Sequence, residues 1–378
     1  MNTNLGDDLF VEIICKRYAD VQFQIYCTAD KWAEMKPAPN LTNVHFWKAE
    51  AAVQRLFKGG ALGRFLKKCI FYLSAKRVAR LRKRCCAVVK IGGSVFMEKG
   101  MLGATPLPLT ETEPISAELF ENAKREPPHF LIGANVGPVY TRDYLHTVAR
   151  ELTAYTSVVF RDKASYRLYR SFPNVRYAPD VIFQYPVGDY QIAQTEKQIF
   201  LSPISLENRN FDEKDMQGYY GKMAEICRYY IETGYEMVLA SFCKREGDLT
   251  AIERIRGQLS EDHRRHTRVL SYEGDTGSVL TEMGKSEFLI CCRFHSVVLS
   301  LLLGKSIYPI SYGDKTTNLL SDLSYAGHWT TVDMWKDTPV EDVEHNRQQQ
   351  TVTDVEHFKC ASQKQFEPLD AFIEALRR

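Results

Sequence analysis

Short apolar bursts alternate with amphipathic stretches along most of the chain. Apolar runs stand at 21–27 (VQFQIYC), 86–91 (CAVVKI), 129–134 (HFLIGA) and 157–161 (SVVFR). A second set stands at 198–202, 236–240, 267–271, 287–292 and 306–310. Runs this short, rich in Val, Ile and Phe and bounded by polar residues, predict buried strands. Between them apolar positions recur at helical spacing, which predicts helices over 6–17, 142–154, 163–170, 213–233 and 248–259, with a last one over 364–377. Strands alternating with helices argue for parallel sheets in an α/β fold.

The polar stretch 183–198, with Pro186 and Gly188, reads as a link between two such units, and 344–354 reads as a polar loop. The division expected is an N-terminal domain over 1–185, a second over 186–345, and a polar loop with a terminal helix over 346–378. Two Rossmann-like domains facing a cleft is the GT-B-like architecture. That likeness concerns the fold and carries no chemistry by itself.

One run breaks its own pattern. FLICCRFHSVVLSLLLGK (288–305) is apolar except for Arg293 and His295 near its middle. Burying an isolated charge is costly, so the cation needs a partner or water. The run reads as a strand to Cys292 and a helix from Ser296 to Leu303, closed by Gly304. Arg293 and His295 then lie at the carboxyl end of a strand, where open α/β sheets bind ligands and where a helix start attracts anions. Position alone leaves two accounts open: a ligand site, or an Arg paired with a structural carboxylate beside a core histidine.

Composition narrows the classes. The 378 residues are 44% hydrophobic and 25% charged, which suits ordinary globular cores. No apolar run is long enough to span a membrane, and MNTNLGDDLF lacks the pattern of a secretory signal. The ten cysteines show no metal-ligand spacing, so they read as reduced core residues of a cytoplasmic protein with no metal site. Charge is segregated: twelve of the 49 Lys and Arg fall between Ala51 and Met97, where no Asp or Glu occurs. The segment 55–84 is expected to be helical, and its part 64–84 to lie on an anionic membrane surface or to be a solvated basic face. No nucleic-acid motif accompanies it.

Glycines or charges follow several of the expected strands. NLGDDL (4–9) opens the first helix; IGGSVF (91–96), IGANVGP (132–138), RFH (293–295) and YGDKTTNLL (312–320) follow strands. With FRDKASYRLYR (160–170) and APDVIF (178–183), this series resembles the polysaccharide pyruvyl transferase family over about residues 4–325. The block from Arg293 to Lys315 is its most specific part. Two departures stand out. The family has a strand before its first G-D, where this sequence has only five residues before Gly6, and IGGS carries two glycines where three are common.

The resemblance implies transfer of the enolpyruvyl unit of phosphoenolpyruvate onto two sugar hydroxyls, giving a cyclic ketal and releasing phosphate. It implies no cofactor. Its donor needs clustered cations, for which Arg293, Lys315 and Arg209 are the candidates, and a proton carrier, for which His295 is the candidate. Asp7, Asp8, Gly92, Gly93, Ser94 and Asn135 are candidates for the acceptor side, although Asp7 and Asp8 also suit a helix cap. The acceptor implied is a sugar of a polysaccharide precursor on a polyprenyl carrier, which would place the protein peripherally at the inner face of the cell membrane. Two other functions compete. One is a GT-B nucleotide-sugar glycosyltransferase using Glu273 or Asp275 on a ribose; the other is a non-catalytic membrane-surface protein.

Overall fold

A computed structural model describes residues 4–25, 27, 32, 38–44, 76–100, 105–121, 123–207, 209, 211–349 and 353–378. It is an α/β structure built on two main parallel sheets. The N-terminal sheet holds β3 (Val88–Ile91), β5 (His129–Val136), β6 (Ser157–Phe160) and β7 (Val175–Tyr177) in the order β3-β5-β6-β7, with β4 (Ser94–Phe96) also paired to β5. All eight residues of β5 are buried, as an interior parallel strand covered on both faces requires. Separately, β1 (Phe23–Ile25) and β2 (Leu41–Asn43) form a small parallel pair.

The second sheet contains β8 (Glu196–Ser202), β9 (Glu236–Ser241), β10 (Thr267–Ser271), β11 (Ser286–Cys291), β12 (Ile307–Ser311) and β13 (Thr330–Thr331). Their order is β10-β9-β8-β11-β12-β13, so the chain starts in the middle, builds outward to β10, then crosses back beside β8. This is a Rossmann order, and its switch point lies between β8 and β11. A ligand crevice is expected at the carboxyl ends of those two strands.

Helix α1 (Leu5–Arg17) ties the halves together. Asn4 caps it by accepting the Gly6 N–H (3.1 Å), and Asp7 and Asp8 at its start with Lys16 and Arg17 at its end complement its dipole. Its Leu5 N–H donates to the Phe242 carbonyl (3.1 Å), and Tyr272 donates to Asp8 (2.8 Å). From the other side Tyr185 donates to Glu12 (2.9 Å). The terminal helix Glu367–Arg377 returns to this region, where Asp370 accepts from Arg17 and Tyr18. Just before it, buried Gln365 accepts the Gly133 N–H (2.8 Å) and donates to the Ala178 carbonyl (2.7 Å).

Several expectations change. The stretch read as a polar link is partly core: Phe183, Tyr185 and Val187 are buried, and Val181–Gln184 is a 3-10 turn packed against α1. The polar loop expected from 344 begins inside a helix, Val340–Gln349, because the buried Asn346 amide donates to the carbonyls of Ile307 and His328. Cys86, expected within a strand, is exposed ahead of β3. Most of the basic segment, residues 55–75, lies outside the described residues; 76–82 is helical, and Arg80, Arg82, Lys83 and Arg84 are exposed. Among the described residues no helix is long and apolar enough to cross a membrane.

Candidate active site

The carboxyl ends of the two sheets supply the site. From the N-terminal sheet, β3 leads into Gly92, Gly93 and Ser94, β5 carries Asn135, and β6 leads into Arg161. From the second sheet, Arg209 follows β8, Glu246 and Asp248 follow β9, Arg293 and His295 follow β11, and Tyr312 and Lys315 follow β12. The two edges touch directly: the Arg161 guanidinium lies 4.4 Å from the centre of the Phe294 ring. Buried Arg161 is held by Asp180 (2.9 Å) and by the Asn135 side-chain oxygen (2.6 Å), which also accepts from Ser94 (3.2 Å).

Three motifs far apart in the chain pack into one stack. The Phe10 ring of α1 meets the His295 ring edge-on, with centroids 5.4 Å apart. On one side of the pair lies Gly6, where a Cβ would come within 1.7 Å of His295 Nδ1. On the other lies Gly92, at φ 72°, where a Cβ would come within 2.1 Å of the Phe10 ring. Side chains at these two positions are excluded by contact, and at Gly92 also by backbone conformation. Gly93 has open space beside it.

Arg293 caps the helix α7 (Phe294–Leu302) without a side-chain cap bond, because its side chain is engaged elsewhere. Earlier in the chain come the helices α2 (Arg142–Leu152), α3 (Lys163–Tyr169), α4 (Glu213–Glu232), α5 (Asp248–Gly257) and α6 (Thr276–Lys285). The guanidinium binds Asp248 through Nε (3.0 Å) and Nη2, and Glu246 through Nη1. Of the two accounts left open by position, a structural carboxylate partner is therefore present: two of the guanidinium nitrogens are committed to buried Asp248 and the third meets Glu246. Burial opposes the charge, but Asp248 and Glu246 outweigh it and push the guanidinium pKa up.

The other cations gather around the same carboxylate. Arg209 donates to Glu246 (3.3 Å) and lies 4.6 Å from the Tyr312 ring centre; Lys315 lies 4.8 Å from that centre and 5.7 Å from that of Phe294. Burial pushes the Glu246 carboxyl up, yet Arg293, Lys315 and Arg209 prevail and hold it below its usual range. The same three cations hold the half-buried Tyr312 phenol below its ordinary value despite burial. Arg161, Glu246, Asp248 and Tyr312 had no role in the sequence reading. The acidic pair follows a strand and brackets Gly247, the signal by which it was findable.

His295 is half-buried, and its Nε2 is covered with no hydrogen-bond partner. Burial, with Arg161, Lys315 and Arg293 nearby, holds the imidazole well below 6.5, so it is neutral. The folded chain then binds fewer protons than the unfolded chain in acid, and His295 contributes its full stability above about pH 6.5 and loses it as pH falls. His295→Gln is expected to flatten the loss of unfolding free energy between about pH 6.5 and 5, followed by urea titration. An unchanged slope would show an ordinary histidine.

Of the acceptor candidates, Gly92, Gly93, Ser94 and Asn135 lie on the cleft edge of the N-terminal sheet. Asp8 is buried and taken up by Tyr272, and Asp7 is half-buried in the first turn of α1. Glu273 pairs with Lys244, and Asp275 caps α6, so both carboxylates suggested for a ribose have structural partners.

A family model described as polysaccharide pyruvyl transferase matches residues 4–314. No curated protein matches the chain closely enough to count as a relative. Among solved structures, an α,α-trehalose 6-phosphate synthase from Burkholderia multivorans aligns at 9% identity over 66% of this chain and 67% of its own, with a TM-score of 0.39.

Proposed function

Since the chain belongs to the polysaccharide pyruvyl transferase family, and is thereby a transferase, we propose that its donor is phosphoenolpyruvate, bound at the carboxyl ends of β8, β11 and β12. The observation that carries this reading is the convergence of Arg209, Arg293 and Lys315 beside the unpartnered imidazole of His295. Phosphoenolpyruvate brings a carboxylate and a phosphate, about three negative charges, and needs such a cluster. The acceptor is a sugar of a polysaccharide precursor, met from the edge carrying Gly93, Ser94 and Asn135.

The chemistry needs one proton carrier. One sugar oxygen bonds to C2 of the donor as the methylene carbon gains a proton. The C2–O bond to phosphate then breaks, and a second sugar oxygen closes the ketal. The two hydroxyl protons end on the new methyl group and on phosphate, so the sum balances. His295 enters neutral and accepts a proton. The charge of the bound donor raises its proton affinity, so it can also return one.

Phosphoenolpyruvate is expected to raise the melting temperature by mass action, and uridine or guanosine diphosphates to do so weakly. Phosphate release with a panel of lipid-linked sugars then identifies the acceptor. Stabilisation by a nucleoside diphosphate, with none by phosphoenolpyruvate, would replace this reading with a nucleotide-sugar transferase.

A further inference from the structure

Arg293 is shared by two carboxylates that are held in different ways. Asp248 is fully buried and accepts the N–H groups of Phe242 and Cys243, each at 2.9 Å. The Glu246 side chain is 42% exposed and rides on the 3-10 turn Lys244–Glu246. Its Oε2 meets Arg293 Nη1 and Arg209 Nη2, and the Lys315 charge also acts on it. Every cation assigned to the donor therefore touches or faces this one partly exposed carboxylate.

We propose that Glu246 is a resident stand-in for the donor anion, filling the site when it is empty and swinging out when the donor enters. The proposal rests on the phosphoenolpyruvate reading above. Three cations crowded together repel one another, and a carboxylate among them keeps Arg209 and Arg293 aimed until substrate arrives. The donor then brings about three negative charges to a site already holding one, and like charges at this range oppose binding. The Glu246 side chain can leave without disturbing what holds Arg293, because Asp248, two residues on, is buried and keeps its bonds to the Phe242 and Cys243 N–H groups.

The exchange also selects. A monocarboxylate such as pyruvate replaces Glu246 one charge for one and gains little. A molecule with both a carboxylate and a phosphate offers the cations a second anionic end. Glu246 thus discriminates the intact donor from its pyruvate fragment.

Calorimetric titration of the full chain with phosphoenolpyruvate, pyruvate and inorganic phosphate tests this against Glu246→Gln. The variant is expected to bind phosphoenolpyruvate roughly five- to tenfold more tightly, and to bind pyruvate that the wild type scarcely holds. In the wild type, saturation with phosphoenolpyruvate is expected to speed amide hydrogen exchange over 244–247. That measurement decides the matter if the variant does not fold. Equal or weaker binding by a folded variant, or slower exchange over 244–247, would overturn the stand-in role while leaving the donor site in place. If neither phosphoenolpyruvate nor phosphate binds wild type or variant, the donor reading falls and the stand-in role with it.

Discussion

Replacing His295 by alanine is expected to lower the rate of pyruvyl transfer about 10²–10⁴-fold, the usual worth of a positioned acid or base, or roughly 3–5 kcal/mol of barrier. Donor affinity is expected to fall much less, because Arg209, Arg293 and Lys315 remain. A merely structural histidine predicts a different pattern. It would lower the melting temperature and leave turnover per folded molecule near normal. The stack makes this a fair contest, since His295 is packed between Gly6 and Phe10. Deleting the ring leaves a space of imidazole size beside them, and added imidazole is expected to restore part of the rate without changing donor affinity. A folded His295→Ala protein with near-normal turnover would make the ring a packing element. The unanswered hydrogen-bonding capacity of Nε2, a buried polar atom with no partner, argues against that outcome.

The local pieces of this architecture were legible in the chain. Strand runs and helical spacing anticipated β5, β8, β11 and α1 to within a few residues, because each is bounded by residues that end it. The RFH junction was legible too, since a cation in an apolar run demands an explanation. Its partners were not. Glu246 and Asp248 precede Arg293 by 47 and 45 residues, and they meet it only because the sheet order places β8 between β9 and β11. Periodicity says that strands exist and is silent on which ones lie side by side. The same gap hid the reason for Gly6 and Gly92. Each looks like an ordinary turn glycine until Phe10 and His295 are seen to fill the space where its side chain would stand. The link 183–198 does join the two sheets, but Pro186 and Gly188 signal only its loop character and not that Phe183, Tyr185 and Val187 within it are buried in the core. Hydrogen bonds decided the end of the chain. Asn346 and Gln365, polar in any scale, are buried because backbone donors and acceptors of other elements need them.

The largest stability effect is expected at Asp248. Asp248→Ala removes the partner of a nearly fully buried guanidinium and leaves the N–H groups of Phe242 and Cys243 unanswered. Breaking a buried pair from one side costs about 3–5 kcal/mol, so the variant is expected to be marginal or unfolded at ordinary temperature. Arg293→Lys is milder and differs in kind. An ammonium keeps the charge but cannot span both Asp248 oxygens while also reaching Glu246, so it is expected to cost roughly 1–3 kcal/mol of stability and to raise the Michaelis constant for the donor. A pure donor-binding role would raise the Michaelis constant alone. The decisive comparison is the double variant Asp248→Ala with Arg293→Met, which removes both charges. If the loss in Asp248→Ala is the stranded cation, the double variant regains most of the stability by urea titration and still binds no donor. Should Asp248→Ala instead remain within about 0.5 kcal/mol of the wild type, the pair is not what fixes Arg293 at the end of β11.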